Sequence, residues 1–169
     1  MPREARYGFR ALTPRDLKLV ASWLGQPHLR EWWGDPAEAL AEIEQAIDDL
    51  ATEALIVELD GKPIGYLQSY DPHLEDDHPY ADQPFGTLGL DLSIGVPELV
   101  GVGHGSALLS QFIDDLFDEG TPRVVIDPHP SNARAIRAYE KAGFAPVGER
   151  DTIYGQVLLM ARDNEEMER

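Results

Sequence analysis

Residues 99–109 read LVGVGHGSALL. Three glycines, Gly101, Gly103 and Gly105, alternate just ahead of a run with helical spacing of apolar residues. Glycine lets a backbone approach another group closely, and the unpaired N–H groups of a first helical turn attract anions. Two readings stand at this point: a cradle for a phosphate, and a tight turn that merely needs glycine. The spacing departs from the G-x-G-x-x-G dinucleotide fingerprint, and no lysine follows as in a nucleotide P-loop. Nor does the chain hold a G-x-S-x-G elbow for a hydrolytic serine.

Working outward, Arg6–Leu12 reads as a first strand. Thr13 as N-cap, Pro14 at the first position and Asp16 at the third open a helix with Leu17, Val20, Ala21 and Leu24 at helical spacing. Residues 28–35, HLREWWGD, then read as a connection carrying the adjacent Trp32 and Trp33 and a turn glycine, Gly34. Asp35–Glu38 gives a second capping signal, for a helix with Leu40, Ile43, Ile47 and Leu50 on one side. Residues 54–59 and 62–70 flank Asp60-Gly61 and predict a hairpin. Asp71–Gly86 is rich in proline and acid, lacks a period, and reads as a long loop. Thr87–Ile94 alternates, with Leu88, Leu90, Leu92 and Ile94 on one face and Gly89, Asp91 and Ser93 on the other. A helix from about Gly103 to Phe117 follows, then a buried-type strand at 123–127. Ser131 is expected to cap a helix that runs through Ala142 and stops at Gly143, and residues 155–162 form a last strand. The expected class is α/β (α+β), built on a sheet with helices packed against it.

The chain has 169 residues and no cysteine. That length suits one domain, with a core over about residues 6–162 and a frayed tail at 163–169. Disulfides, thiolate metal sites and a cysteine nucleophile are excluded. The charged N-terminus MPREARYGFR has no apolar core of a secretion signal, so a cytoplasmic protein without membrane spans is expected. A net charge of -17, from 31 acids against 14 bases, repels nucleic acid and anionic membrane. It fits either a solvated surface or a cationic substrate. His73, His78, His104 and His129 show no metal-ligand spacing, so no metal is expected.

The decisive partner of the glycine turn is residues 127–144, DPHPSNARAIRAYEKAGF. Asn132, Ala135, Tyr139, Gly143 and Phe144 fit an N-x-x-A-x-x-x-Y-x-x-x-G-F run. The pair of motifs resembles the GNAT superfamily of N-acetyltransferases. The usual Gln or Arg that begins the glycine motif falls at Val100 and is missing. EWWG, KPIGYLQSY, LDLSIG and the 127–144 run also lie in the order seen in aminoglycoside 6′-N-acetyltransferases, over roughly Arg10 to Arg162.

The resemblance implies a mixed sheet of about six to seven strands with helices on both faces, acetyl-coenzyme A as cosubstrate, and a small cationic amine as acceptor. It implies a monomer or a homodimer. Asp91 would be the general base and Tyr139 the acid for the leaving thiolate. The backbone of Leu92, Ser93 and Ile94 would pair with the pantetheine arm. Gly101, Val102, Gly103, His104 and Gly105 would cradle the pyrophosphate, with Asn132 beside the cofactor. Asp91, Asp127 and Trp33 would meet the amine substrate, while Trp32 anchors its segment. Asp127 before proline is also a common turn starter, and Tyr139 is equally compatible with a plain core position. Glu75, Asp76, Asp77 and Asp82 are further acids of the long loop that could meet ammonium groups. Other amines (a polyamine, a peptide N-terminus, a siderophore precursor) and a non-catalytic acyl-coenzyme A sensor are the alternatives.

Overall fold

The computed structural model describes residues 7–153 and 155–165. Its strands are β1 (Tyr7–Ala11), β2 (Thr52–Leu59), β3 (Lys62–Tyr70), β4 (Leu88–Ile94), β5 (Arg123–Ile126), β6 (Ala145–Thr152) and β7 (Gly155–Asp163). Its helices are α1 (Leu17–Leu24), α2 (Pro27–Trp33), α3 (Pro36–Ala46), α4 (His104–Asp118) and α5 (Ala133–Lys141). The strands form one mixed sheet in the order β1-β2-β3-β4-β5-β7-β6. β4 and β5 run parallel, whereas β1–β2, β5–β7 and β6–β7 are antiparallel. A parallel pair needs a crossover, and α4 supplies it. By packing, the chain falls into two compact units: Met1–Gln68 with Leu92–Val102, and Ser69–Asp91 with Gly103–Arg169.

In the first unit, Asp60 and Gly61 both take positive φ, 50° and 85°, as a two-residue turn matched to strand twist requires. Arg10 pairs with the Asp16 carboxylate through two 2.9 Å hydrogen bonds, and the Thr13 N–H donates to the same carboxylate at 2.9 Å. This closes the turn Pro14–Asp16 that precedes α1. Val20, Trp23, Leu24, Leu29, Ile43, Ile56 and Tyr66 form the buried cluster of this unit. Asp35 caps α3 by accepting from the Glu38 N–H at 3.0 Å.

Two expectations are corrected here. The segment at residues 28–35 is not a bare connection: α2 begins with Pro27 in its first turn, buries Leu29 and ends at Gly34, φ +78°. The third helix stops at Ala46, and Leu50 is 100% exposed rather than on its apolar side.

The second unit carries α4, whose Leu108, Leu109, Phe112, Ile113 and Leu116 are buried. β6 was not expected. Its residues are mostly exposed, Pro146 interrupts donation, and a register shift between Pro146 and Gly148 hides any alternation. The cap of α5 is Asn132, not Ser131: the Asn132 carboxamide oxygen accepts from the Ala135 N–H at 3.2 Å. The predicted fraying at 163–164 is also corrected. Asp163 pairs with Arg123 at 2.6 Å, and buried Asn164 donates to the carbonyls of Phe117 and Thr121. Residues 166–169 and Arg6, the first residue of the expected opening strand, lie outside the described residues.

Candidate active site

The β4–β5 ladder pairs Leu88 with Val124, Gly89 with Val125 and Leu90 with Ile126. Asp91 and Asp127 are the residues that follow the last pair of this ladder. By alternation Asp91 lies on the β4 face of Gly89, and Tyr70, Tyr80 and Tyr139 each feel the charge of both aspartates. Tyr70, Tyr80, Val125, Leu159 and Ala161 make an apolar cluster that includes this face.

Gly89 is required there. The Tyr70 ring lies where a side chain at position 89 would stand, so any Cβ would collide with its ring and hydroxyl. The absence of a side chain at 89 leaves room for the Tyr70 ring, which also feels the Asp91 charge.

Three tyrosine hydroxyls feel the charge of both carboxylates. The Tyr80 hydroxyl donates to Asp127 Oδ2 at 2.6 Å. Burial pushes the Tyr80 hydroxyl far above its ordinary range, and the nearby Asp127 and Asp91 charges push it further. Burial likewise raises Tyr70 and Tyr139, and each also feels both Asp91 and Asp127. These hydroxyls therefore stay protonated and act as donors at neutral pH. Burial also raises Asp127, while the Tyr80 hydroxyl and the Asp127 N–H work in the opposite direction. The three expected residues Asp91, Asp127 and Tyr139 thus lie within electrostatic reach of one another.

The long loop supplies residues that sequence reasoning missed. Tyr80 is 2% exposed, and His78 packs against both Tyr80 and Tyr70 at 5.2 and 5.3 Å between ring centres. His78 Nδ1 accepts from the Tyr80 N–H at 3.0 Å, and its Nε2 faces Glu75 at 3.4 Å. Burial lowers the His78 pKa against the pull of Glu75. Asp82 is engaged by Arg150 at 2.8 Å, so it is not an open acid. The contacts with Tyr70, Asp127 and Arg150 depend on partners outside 71–86, and nothing in that segment signals them beforehand.

The glycine turn adopts the conformation its sequence suggests. Gly101 and Gly103 have φ of +79° and +96°, where other residues are strained. No side chain caps the α4 N-terminus, and a Cβ at Gly103 would meet open space. These features fit a backbone cradle for an anion. Asn132 is half-buried and its oxygen is used in capping α5.

Within the first unit, Ser93 is buried and the Ile94 carbonyl is bonded to His28 Nε2 at 2.8 Å. His28 was passed over in the sequence. Trp33 packs against the core cluster and meets the Tyr66 ring edge-on at 6.2 Å. Trp32 is 40% exposed. The expected anchoring role of Trp32 is thereby corrected: Trp33 is the tryptophan set into the core, because on a helix its neighbour is turned about 100° away. Among the described residues, no group of His, Asp or Glu is arranged to hold a metal, and no helix is long and apolar enough to cross a membrane.

This chain is 34% identical to the aminoglycoside N(6′)-acetyltransferase type 1 of Klebsiella pneumoniae, over 95% of this chain and 84% of that protein. It is 28% identical to the lysine N-acyltransferase MbtK of Mycobacterium tuberculosis, covering 94% of this chain and 78% of that one. The crystal structure of aminoglycoside acetyltransferase AAC(6′)-Ib with coenzyme A and kanamycin superposes with a TM-score of 0.85 at 31% identity, covering 97% of this chain and 98% of that one. Residues 13–152 match the family model described as the acetyltransferase (GNAT) domain, and the chain belongs to that acetyltransferase family.

Proposed function

We propose that this chain transfers an acetyl group from acetyl-coenzyme A to the 6′-amine of an aminoglycoside. The observation that supports the reading is that Tyr70, Tyr80 and Tyr139 each feel both Asp91 and Asp127, with the Tyr80 hydroxyl bonded to Asp127. An aminoglycoside is a polycation, and a carboxylate pair in a chain of net charge -17 suits it. The 34% identical Klebsiella protein, named for this activity, supports the substrate class.

In this reading the neutral amine nitrogen attacks the thioester carbonyl and the carbon–sulfur bond breaks. Asp91 takes the proton released by the amine, directly or through a water. Tyr139, kept protonated by burial, gives its proton to the departing thiolate. Asp127 holds a substrate ammonium. Gly101, Val102, Gly103, His104 and Gly105 would hold the pyrophosphate on backbone N–H groups. Leu92 and Ser93 would offer backbone partners to the pantetheine arm, with Asn132 flanking it. Ile94 would contribute to the same task, its carbonyl being held by His28. Trp33 would present to the substrate whatever part of its ring the core leaves open.

The similarity to a lysine N-acyltransferase favours one second reading, acylation of another primary amine. The test is turnover, followed by thiol release, with kanamycin-type drugs, spermidine, lysine derivatives and peptides, and mass analysis of the product. Acetylation of the drug amine at the highest kcat/KM supports the proposal. A clear preference for a lysine side chain overturns the aminoglycoside assignment. Coenzyme A binding with no turnover of any amine leaves only a sensor.

A further inference from the structure

Tyr80 reaches Asp127 across 47 positions of chain, from a loop without regular structure. Buried tyrosines commonly satisfy their hydroxyl on a backbone carbonyl or a water. Here the partner is one of two adjacent carboxylates. The loop has fastenings of its own that do not use this hydroxyl. Arg150 binds Asp82 and donates to the Pro79 carbonyl at 3.2 Å, while its guanidinium lies 5.9 Å from the centre of the Tyr80 ring. His73 Nε2 bonds the carbonyls of Ala81 and Gln83 at 3.1 and 3.0 Å. Arg123 donates to the Gln83 side chain at 2.8 Å. The Tyr80 hydroxyl is therefore not needed to close the loop, and its 2.6 Å bond acts on the carboxylate.

We propose that Tyr80 is a positioning residue: its hydroxyl orients the Asp127 carboxylate and keeps it anionic as the docking point for a substrate ammonium. The inference rests on the acetyltransferase reading with Asp127 as an amine-binding residue. A short bond from a hydroxyl to a carboxylate favours the charged form. Every other titratable neighbour acts around this pair. Tyr70 of β3, Asp91 of β4 and Tyr139 of α5 lie within electrostatic reach, Arg150 of β6 covers the Tyr80 ring, and Glu75 and His78 stand behind Tyr70. Burial already raises Asp127. Loss of the Tyr80 donor raises it further, so the carboxylate is lost first on the acid side.

The test measures the Kd of a kanamycin-type aminoglycoside by calorimetry from about pH 5.5 to about pH 8.5, with wild type, Tyr80→Phe, Asp127→Asn and the double variant. Tyr80→Phe is expected to weaken binding about tenfold near pH 6 and only about twofold near pH 8, with acetyl-coenzyme A affinity unchanged. In the Asp127→Asn background the same change is expected to add almost nothing. A loss that is equal at all pH values, or additive with Asp127→Asn, makes Tyr80 a packing residue and overturns the proposal. Normal binding by Asp127→Asn itself overturns the amine-binding role of Asp127, and the proposal with it. If Tyr80→Phe is too unstable to assay, Arg150→Gln removes the fastenings at Pro79 and Asp82 that seat Tyr80 and so weakens its bond to Asp127. The same acid-weighted loss is then expected, and a pH-independent one counts against the proposal.

Discussion

Asp91 and Asp127 each follow the last paired rung of two parallel strands, Leu90–Ile126, and three tyrosines feel the charge of both. They are not equivalent. Asp127 accepts the Tyr80 hydroxyl at 2.6 Å from the long loop, whereas Asp91 projects from the β4 face of Gly89, where the Tyr70 ring lies. This asymmetry suits one carboxylate for holding charge and the other for moving a proton.

Asp91→Asn is therefore expected to lower kcat by about a hundredfold or more, the usual range for loss of a general base. Coenzyme A affinity should change little. Thiol release across pH checks this: the acid limb that Asp91 imposes on kcat should vanish in the variant. A limb that survives unchanged would remove Asp91 from the role of base.

Tyr139→Phe deletes one hydroxyl that burial and the two aspartates keep protonated. The expected result is a kcat reduced about tenfold to a hundredfold, with the melting temperature within a few degrees of wild type. Thermal unfolding beside steady-state turnover separates the two roles. A stability loss with unchanged kcat would return Tyr139 to a packing position against Phe144, whose ring it meets edge-on at 6.2 Å.

The tryptophan pair divides opposite to the anchoring expectation. Trp33 packs on the core cluster and on Tyr66, while Trp32 is 40% exposed. Trp33→Ala is expected to cost about 3 kcal/mol and Trp32→Ala under about 1 kcal/mol, as judged by urea unfolding. Equal losses would mean that the exposed indole is also part of the fold. A rise in KM for the amine in Trp33→Ala beyond its stability loss would support its contact with substrate.

Acid should dissolve the Arg10–Asp16 pair. The Arg10 guanidinium holds Asp16 at about 2, below the ordinary carboxylate value of 3.8, against the opposing effect of burial. A carboxylate depressed in the folded state stabilises above its unfolded pKa and loses that contribution as pH falls through the folded value. The melting-temperature gap between wild type and Asp16→Asn should thus be full near neutral pH and shrink from about pH 4 towards about pH 2. A gap that persists unchanged to pH 2 would assign the cost to packing instead.

Much of the architecture was legible because its signals are local. Asp35 caps α3, Asp60-Gly61 turns the hairpin, and Gly101 and Gly103 take positive φ ahead of α4. Each depends on residues a few positions apart. The parts that escaped lack such a signal. β6 is an exposed strand with a proline and a register shift, and α2 has seven residues and one fully buried side chain, too few for a period to emerge. Choosing Ser131 as the cap of α5 missed by one residue, since serine and asparagine are both good caps and only backbone geometry selects Asn132.

By itself the sequence determined most of the elements, the glycine turn, and the facing of Asp91 on its strand, because caps, turns and alternation act between near neighbours. Only the tertiary structure decided that strands β4 and β5 pair just before Asp91 and Asp127, that Tyr80 binds Asp127, and that Trp33 rather than Trp32 packs on the core. Those choices follow from strand register and from loop fastenings made by Arg150 and Arg123. Their partners lie tens of residues away, and no local pattern encodes them.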